Sequence, residues 1–548
     1  MAKCAHDSGL RHFSPSATSG GCGIRRGVPN GPADAAGAAA PAGHRRERER
    51  VRDRAGWHAG ARLGVPAGRS GRPRPSSRSA MVSIGRIRDD LRLHLSRSVL
   101  EHGVPGASVA VGVGDRLAEA AAGVVNTRTG VPVAPASVFQ IQSITKAWTG
   151  TLVMQLVDEG LVELDDPVRV HLPGFRTADP DVSASITIRH LLTHTGGFEG
   201  DLWKATTAGD DALQRLVEDR IPELPQSEAP GSRYSYCSAG MAVLGRIVEL
   251  KRQMPFRTAL RSFLADPLGI EEIAFDADEA LGFSTAVGHV PQGDRGMRPL
   301  PVWATLPESN APAGNQLAMS ARALLAFGRM HLADGLAPGG ARVLSEASAK
   351  AMRTPGIGIP ASYPAPKHVG LAWEVGAGGA IVSHAGGAIG IASILVLLPA
   401  QGVSIAVLTN GGDFGGLFRD LVDPWIEAAV GVGMSPSTPA PAPGGSGTDF
   451  ARYVGVYGTR NQRTTVSITD GGRLQVAHTT TGEGADMMVR AGLSPQPYVT
   501  EIRRVGGDLF ASVGSAGTAG GFLEFLDSDA GGRARFIHGG GRSAPRLD

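Results

Sequence analysis

Cysteine is nearly missing from this chain: Cys4, Cys22 and Cys237 are the only three in 548 residues. No two of them form a CxxC pair, so a thiolate metal site, a dithiol redox pair and a disulfide-stapled secreted domain are all excluded as organising features. Lysine is scarce as well, at six residues against 48 arginines. Long apolar runs are absent. The longest, Ile389–Leu398, has roughly ten residues, half of the ~20 that a membrane-spanning helix needs. Pro399-Ala400-Gln401-Gly402 and a second apolar run, Val403–Leu408, follow it, which predicts two buried strands joined by a turn. No apolar stretch follows Met1, so no secretory signal is expected and a cytoplasmic location is. HExxH, Gly-x-Ser-x-Gly and Gly-Lys do not occur. Their absence removes the zinc-protease helix, the α/β-hydrolase elbow and the phosphate-binding loop from consideration.

What is present is ordinary in bulk and uneven in distribution. Hydrophobic residues make up 42 % and charged ones 19 %, a globular composition in a chain long enough for two or three domains. Residues 1–80 hold fourteen arginines and one lysine against five acids. The remainder is therefore mildly acidic, and no nucleic-acid partner is expected of it. The stretch 1–82 is rich in Arg, Gly, Ala, Pro and Ser, with hardly any Ile, Leu or Phe. It reads either as a disordered basic leader or as upstream sequence translated from too early a start, with Met81 opening the first amphipathic segment.

Residues 83–432 read as one folded domain. Ile84, Ile87, Leu91, Leu93 and Leu95 predict a helix. Ala107–Val113, the turn Gly114-Asp115 and Leu117–Val125 predict a hairpin. A helix is predicted over Ser143–Glu159, ended by Gly160. Helices and loops follow to about residue 380, strands over 381–409, and a last helix over Leu421–Val430 with Pro424 in its first turn. Gly433–Gly447, made of Pro, Ser, Ala and Gly without charge, marks 433–449 as a linker. Over 450–548 the runs Thr464–Ile468, Arg473–Ala477, Met488–Arg490, Phe510–Val513, Phe522–Leu526 and Arg535–His538 predict a small all-β, barrel-like domain.

Three short motifs carry chemistry. The first is Ser143-Ile144-Thr145-Lys146. Residues three apart share a helix face, so the Lys146 amine is placed one turn from the Ser143 hydroxyl. A lysine buried there is driven toward its neutral form and can take the hydroxyl proton, which arginine cannot do. Alone, Ser-x-x-Lys is a weak signal. The second is Tyr236-Cys237-Ser238, just ahead of the apolar helical run Met241–Leu250. A phenol there can join a proton network with a lysine, although a core tyrosine has the same look, and Cys237 reads as a small buried hydrophobe. The third is His384-Ala385-Gly386-Gly387, opening a strand. Its glycines let a substrate backbone lie close, and the Gly387 N–H can face that of Ser143 as an oxyanion hole.

In this order the motifs resemble the serine β-lactamase and penicillin-binding peptidase superfamily, in particular its class C branch with esterases, D-aminopeptidases and D-alanyl-D-alanine carboxypeptidases. Gly160–Phe175, Ile186–Gly197, Pro312–Ser320 and Gly370–Val375 are similar to that family's linking segments. Tyr453-Val454-Gly455-Val456-Tyr457 resembles the lipocalin-like domain appended to such hydrolases. The resemblance implies an α+β fold, an antiparallel sheet flanked by helices with an all-helical subdomain. It also implies a serine hydrolase without cofactor or metal that acts on an ester, amide or peptide, including D-amino acid peptides and lactams. Ser143 is then the nucleophile, and Lys146 and Tyr236 are the base pair. Ser143 and Gly387 form the oxyanion hole, and Ser238, His384 and Gly386 bind substrate. The match of His194 is to a helix-end motif, which makes it structural. Two departures stand out: Ser238 replaces the usual asparagine of Tyr-x-Asn, and His384 replaces the lysine of class C β-lactamases. Both argue against efficient penicillin hydrolysis. The alternatives are a β-lactamase proper and a weakly catalytic binding protein that keeps the fold.

Overall fold

The computed structural model describes residues 83–363, 368–435, 450–513 and 519–548. The basic leader and most of the expected linker lie outside the described residues.

The chain enters on helix α1 (Ile84–Glu101), whose buried residues Ile84, Ile87, Leu91, Leu95 and Val99 recur at helical spacing. Leu93, included in the sequence pattern, falls off that stripe and is exposed. Strands β1 (Gly106–Val113) and β2 (Arg116–Gly123) form the expected hairpin. Their sheet is completed only after some 230 residues, by β3 (Ile357–Gly358), β4 (His368–Val369), β5 (Glu374–Gly376), β6 (Ile381–Ala388), β7 (Ile391–Leu398) and β8 (Val403–Thr409), in the order β2-β1-β8-β7-β6-β5-β4-β3. The named pairings are antiparallel.

Both faces of the central strands are covered, which explains why β7 and β8 read as continuous apolar runs rather than alternating ones. Val396, Leu398, Ile405 and Val407 point to α1 and to helices α5 (Phe414–Leu421) and α6 (Asp423–Val430). Leu395, Leu397, Ala406 and Leu408 point to the other core. That core contains α2 (Thr145–Asp158), α3 (Ser238–Arg252) and α4 (Ala321–Leu332), drawn from the mainly helical stretch between β2 and β3. Trp148 on α2 stacks on Phe327 of α4 at 4.3 Å between ring centroids. As expected, α2 is closed by Gly160, in the left-handed conformation at φ 69°. Helix α6 carries Pro424 in its first turn. Helix α5 was not legible, because Gly415 and Gly416 break its pattern; Asp413 caps it by accepting the Gly416 N–H at 2.9 Å.

Beyond residue 450 the chain forms an antiparallel meander of eight strands: β9 (Gly455–Thr459), β10 (Gln462–Ile468), β11 (Leu474–Thr480), β12 (Tyr498–Gly506), β13 (Leu509–Val513), β14 (Ala519–Ser528), β15 (Ala534–Gly539) and β16 (Arg542–Pro545). The meander nearly closes on itself, with the Leu547 N–H donating to Val456 O at 2.7 Å beside β9. Its core holds Tyr453, Tyr457, Phe510 and Phe525. Met488–Arg490, expected as a strand, belongs instead to helix α7 (Gly482–Arg490). Three residues are too few to show a period, and Gly482 together with Glu483 opens a helical turn there.

Candidate active site

Ser143 stands in a 3-10 turn, Gln142–Ile144, and α2 starts only at Thr145. Gln142 takes the left-handed conformation at φ 50°, which is uncommon for a residue with a side chain and is the kind of strain found at functional sites. Hydrogen bonds hold it there. Gln142 Nε2 donates to Gln140 Oε1 at 2.5 Å, and Thr145 Oγ1 donates to Gln142 O at 2.7 Å. Gly314 packs directly on this turn at φ 110°, and a Cβ there would lie 2.3 Å from Gln142 O and 2.7 Å from Ser143 N.

Lys146, in the first turn of α2, donates from Nζ to Ser143 Oγ at 3.1 Å and to Ala313 O. It is 1 % exposed. Burial first, and then the positive charge of Arg542, bring its pKa down to about 7, while Asp201 and Cys237 act in the other direction. Near neutral pH a large share of this amine is therefore unprotonated and can accept a proton.

Tyr236 completes the cluster. It lines the same cavity as Ser143, and Lys146 Nζ lies 4.7 Å from its ring centroid. Burial raises its pKa well above the usual phenol range, so it is a neutral hydroxyl at physiological pH. His194 backs it, with ring centroids 4.5 Å apart. His194 Nδ1 accepts the Cys237 N–H at 3.2 Å, and its carbonyl accepts the Ser235 N–H at 2.9 Å. His194 thus braces the segment that carries Tyr236. The Cys237 thiol is buried and pushed up to about 12, which leaves it unreactive.

The third motif lies on β6. At Gly386 a Cβ would stand 2.1 Å from Ile141 O, so its lack of a side chain lets the strand approach the Ser143 segment. Ser393 Oγ, opposite it on β7, donates to Ile141 O at 3.0 Å. His384 is buried, its Nδ1 donating to Ala385 O at 2.7 Å. Burial, reinforced by Lys146, pushes its pKa to about 3, so it is a neutral imidazole.

Ser143, Lys146, Tyr236, Ser238 and Gly387 converge on one cavity of about 210 Å³. His384 and Gly386 do not line it. Residues the sequence did not single out do: Trp203, Asn310, Met487 and Arg542. Nothing in the sequence near Arg542 points to Ser143; at most, Gly540-Gly541 signals a hairpin turn. A larger hollow of about 550 Å³ lies between α1 and α6, but the paired serine and buried lysine, not size, identify the candidate site. Among the described residues no cluster of three or more His, Cys, Asp or Glu could hold a metal ion.

The insertion is mainly helical rather than all-helical, since it also holds a small three-stranded and a small two-stranded sheet; a helix-flanked antiparallel sheet with such an insertion is the fold of the serine β-lactamase-like enzymes. The chain belongs to the Beta-lactamase family, whose model matches residues 86–425. It is 42 % identical to penicillin-binding protein 4 of Amycolatopsis lactamdurans over 342 residues, 61 % of this chain and 88 % of that protein. It is 32 % identical to esterase EstB of Burkholderia gladioli over 186 residues, 31 % of this chain and 47 % of that protein. Among solved structures, SurE superposes with a TM-score of 0.67 at 28 % identity, covering 85 % of this chain and all of SurE. A class C β-lactamase shares the fold at 16 % identity and a TM-score of 0.52, covering 63 % of this chain and 97 % of that one. No helix among the described residues is long and apolar enough to cross a membrane.

The close packing of Gly314 on the Ser143 turn generates a test. Gly314→Ala should displace that turn, slowing labelling of the protein by a fluorophosphonate probe by ~100-fold while the far-ultraviolet circular dichroism is unchanged. Labelling at the parental rate would show that the turn tolerates the added methyl.

Proposed function

We propose that this protein is a serine hydrolase that cleaves esters and amides of D-configured amino acids through an acyl-enzyme on Ser143. One observation carries the reading: a buried Lys146 amine, its pKa lowered to about 7, 3.1 Å from the Ser143 hydroxyl, with the Tyr236 ring 4.7 Å from the same amine in one cavity.

In the first step Ser143 Oγ attacks the carbonyl carbon, and its proton passes to the neutral Lys146 Nζ. The carbonyl π pair moves onto oxygen, where the Ser143 and Gly387 N–H groups are the oxyanion donors. Such a donor is worth ~100- to 1,000-fold in rate. Collapse of the tetrahedral intermediate breaks the bond to the leaving group, which takes the Tyr236 hydroxyl proton. Tyr236 is refilled from Lys146, which returns the amine to its neutral state. Water then attacks the acyl-enzyme with the same groups in reversed roles, and Ser143 leaves. The raised pKa of Tyr236 and the lowered one of Lys146 divide the labour: the phenol relays protons and the amine is the base.

The substrate class is supported by relatives. Penicillin-binding protein 4 and EstB point to acyl chemistry, and a SurE structure was solved with D-Leu. The cavity is below the ~300 Å³ at which drug-sized pockets begin, which suits one residue side chain rather than a whole antibiotic. Hydrolysis of β-lactams is disfavoured because His384 is a neutral imidazole, and Arg542, the cation that does reach the cavity, is already paired with Asp201.

Three outcomes are expected. Ser143→Ala should lose turnover and fluorophosphonate labelling, and mass spectrometry of the parent protein should find the adduct on the peptide containing Ser143; an adduct elsewhere would refute the assignment. On a panel of matched D- and L-amino acid esters and amides with a chromogenic cephalosporin, the D-esters should be cleaved at least ~10-fold faster than their L-counterparts and faster than the cephalosporin. A preference for the cephalosporin would restore the β-lactamase reading. Because Lys146 acts in its unprotonated form, kcat/KM should rise with pH through an acid limb centred near 7. A limb near 10 would mean that the lysine is not the base.

A further inference from the structure

The last hairpin of the C-terminal sheet, β15 and β16 joined through Gly540-Gly541, reaches the cavity that holds Ser143. Three contacts seat it. The Tyr236 N–H donates to Gly541 O at 2.8 Å. The Ser543 N–H donates to Ser235 Oγ at 3.1 Å. Arg542 pairs with Asp201 through Nε to Oδ2 at 2.6 Å and Nη2 to Oδ1 at 3.1 Å. The guanidinium carbon stands 5.1 Å from the centroid of the Tyr236 ring. Arg542 sits deep, yet 35 % of its side chain is exposed, and it lines the cavity.

A second arm comes from α7. Glu483 accepts the N–H groups of Trp203 at 2.5 Å and Lys204 at 2.8 Å, and also Arg220 Nη2 at 2.6 Å. Trp203 and Met487 line the same cavity. One wall of the candidate site is therefore built by residues beyond 450, outside the 86–425 span that defines the family.

We infer that Arg542 is a positioning residue for acyl transfer: from the C-terminal sheet it seats Tyr236 and, with Asp201 as its counter-ion, sets the electrostatic balance at Lys146. This rests on the reading of Ser143, Lys146 and Tyr236 given above. The groups facing Lys146 from the surrounding elements are Tyr236 and Cys237 ahead of α3, His194, His384 on β6, Asp201, and Arg542. Burial holds both histidines neutral and keeps the thiol and the phenol protonated. The formal charges acting on Lys146 are then those of Arg542, which opposes its protonation, and Asp201, which favours it.

The test uses the full-length protein with Arg542→Gln, Asp201→Asn, the double variant and Arg542→Lys, reading the pH profile of kcat/KM on one ester. Arg542→Gln leaves Asp201 alone, so the acid limb should move up by about one pH unit. Asp201→Asn leaves the guanidinium alone, so the limb should move down by a similar amount. The double variant should return it to near the parental position. Arg542→Lys should keep the limb in place and lower kcat, because the fork that pairs with Asp201 is lost. If Arg542→Gln does not fold, Asp201→Asn and Arg542→Lys still carry different expectations: a limb moved down in the first and one left in place in the second. Limbs that stay put, or move in the same direction in both single variants, would overturn the inference. Loss of activity in Ser143→Ala with unmoved limbs here would sink this inference alone, whereas retained acylation in Ser143→Ala would sink the reading beneath it.

Discussion

The candidate site is organised around a lysine kept out of water. Placing an ammonium group in a protein interior costs several kcal/mol, and its bonding partners here, a hydroxyl and a backbone carbonyl, return no full charge to it. The group responds by giving up its proton near pH 7 instead of near 10.5. The same low polarity acts on every neighbour. His194 and His384 lose their protons, whereas Cys237 and Tyr236 keep theirs. The result is a shell of neutral groups around one amine, so a single ion pair at its edge has leverage that it would not have in water.

Convergence of this shell depends on backbones approaching more closely than side chains would permit. Ser143 is presented on a left-handed turn at Gln142, Gly314 packs on that turn from the segment whose Ala313 carbonyl binds Lys146, and Gly386 brings β6 against Ile141. Each contact joins segments far apart in the chain. That is why the sheet closes late: β1 pairs with β8, so the hairpin that opens the domain and the strands that end it must both be in place before the cavity has walls.

Local chemistry was legible in the sequence wherever it was periodic or punctuated. The hairpin with Gly114-Asp115, the helix ended by Gly160, the apolar runs of β7 and β8 and the one-turn spacing of Ser143 and Lys146 are all short-range facts. Tyr236 and Gly387 were legible because their motifs follow in a set order, and both line the cavity. What failed was either too short or too distant. Met488–Arg490 offered three residues, not enough to tell a strand from the end of α7. Leu93 fitted a list of apolar positions but not the stripe itself. His384, expected from its motif to bind substrate, is not among the residues that line the cavity. A position in a motif does not say whether a side chain points outward, and this one is buried, with its Nδ1–H held by the neighbouring carbonyl.

Arg542 is the extreme case of distance. It follows Ser143 by about 400 residues, across a Pro- and Gly-rich stretch, and its local sequence says only that a hairpin turns there. Its place at the cavity is a property of how the C-terminal sheet seats on the hydrolase part, through Tyr236, Ser235, Asp201 and the Trp203 loop. The superposition with SurE covers 85 % of this chain and so extends past the 86–425 span. A contact of this kind also constrains its own replacement. Removing the sheet would expose Tyr236 to water on one side and leave Asp201 without its partner, and both changes favour the charged form of Lys146. The second part of the chain is for that reason better described as a wall of the site than as an appendage to it.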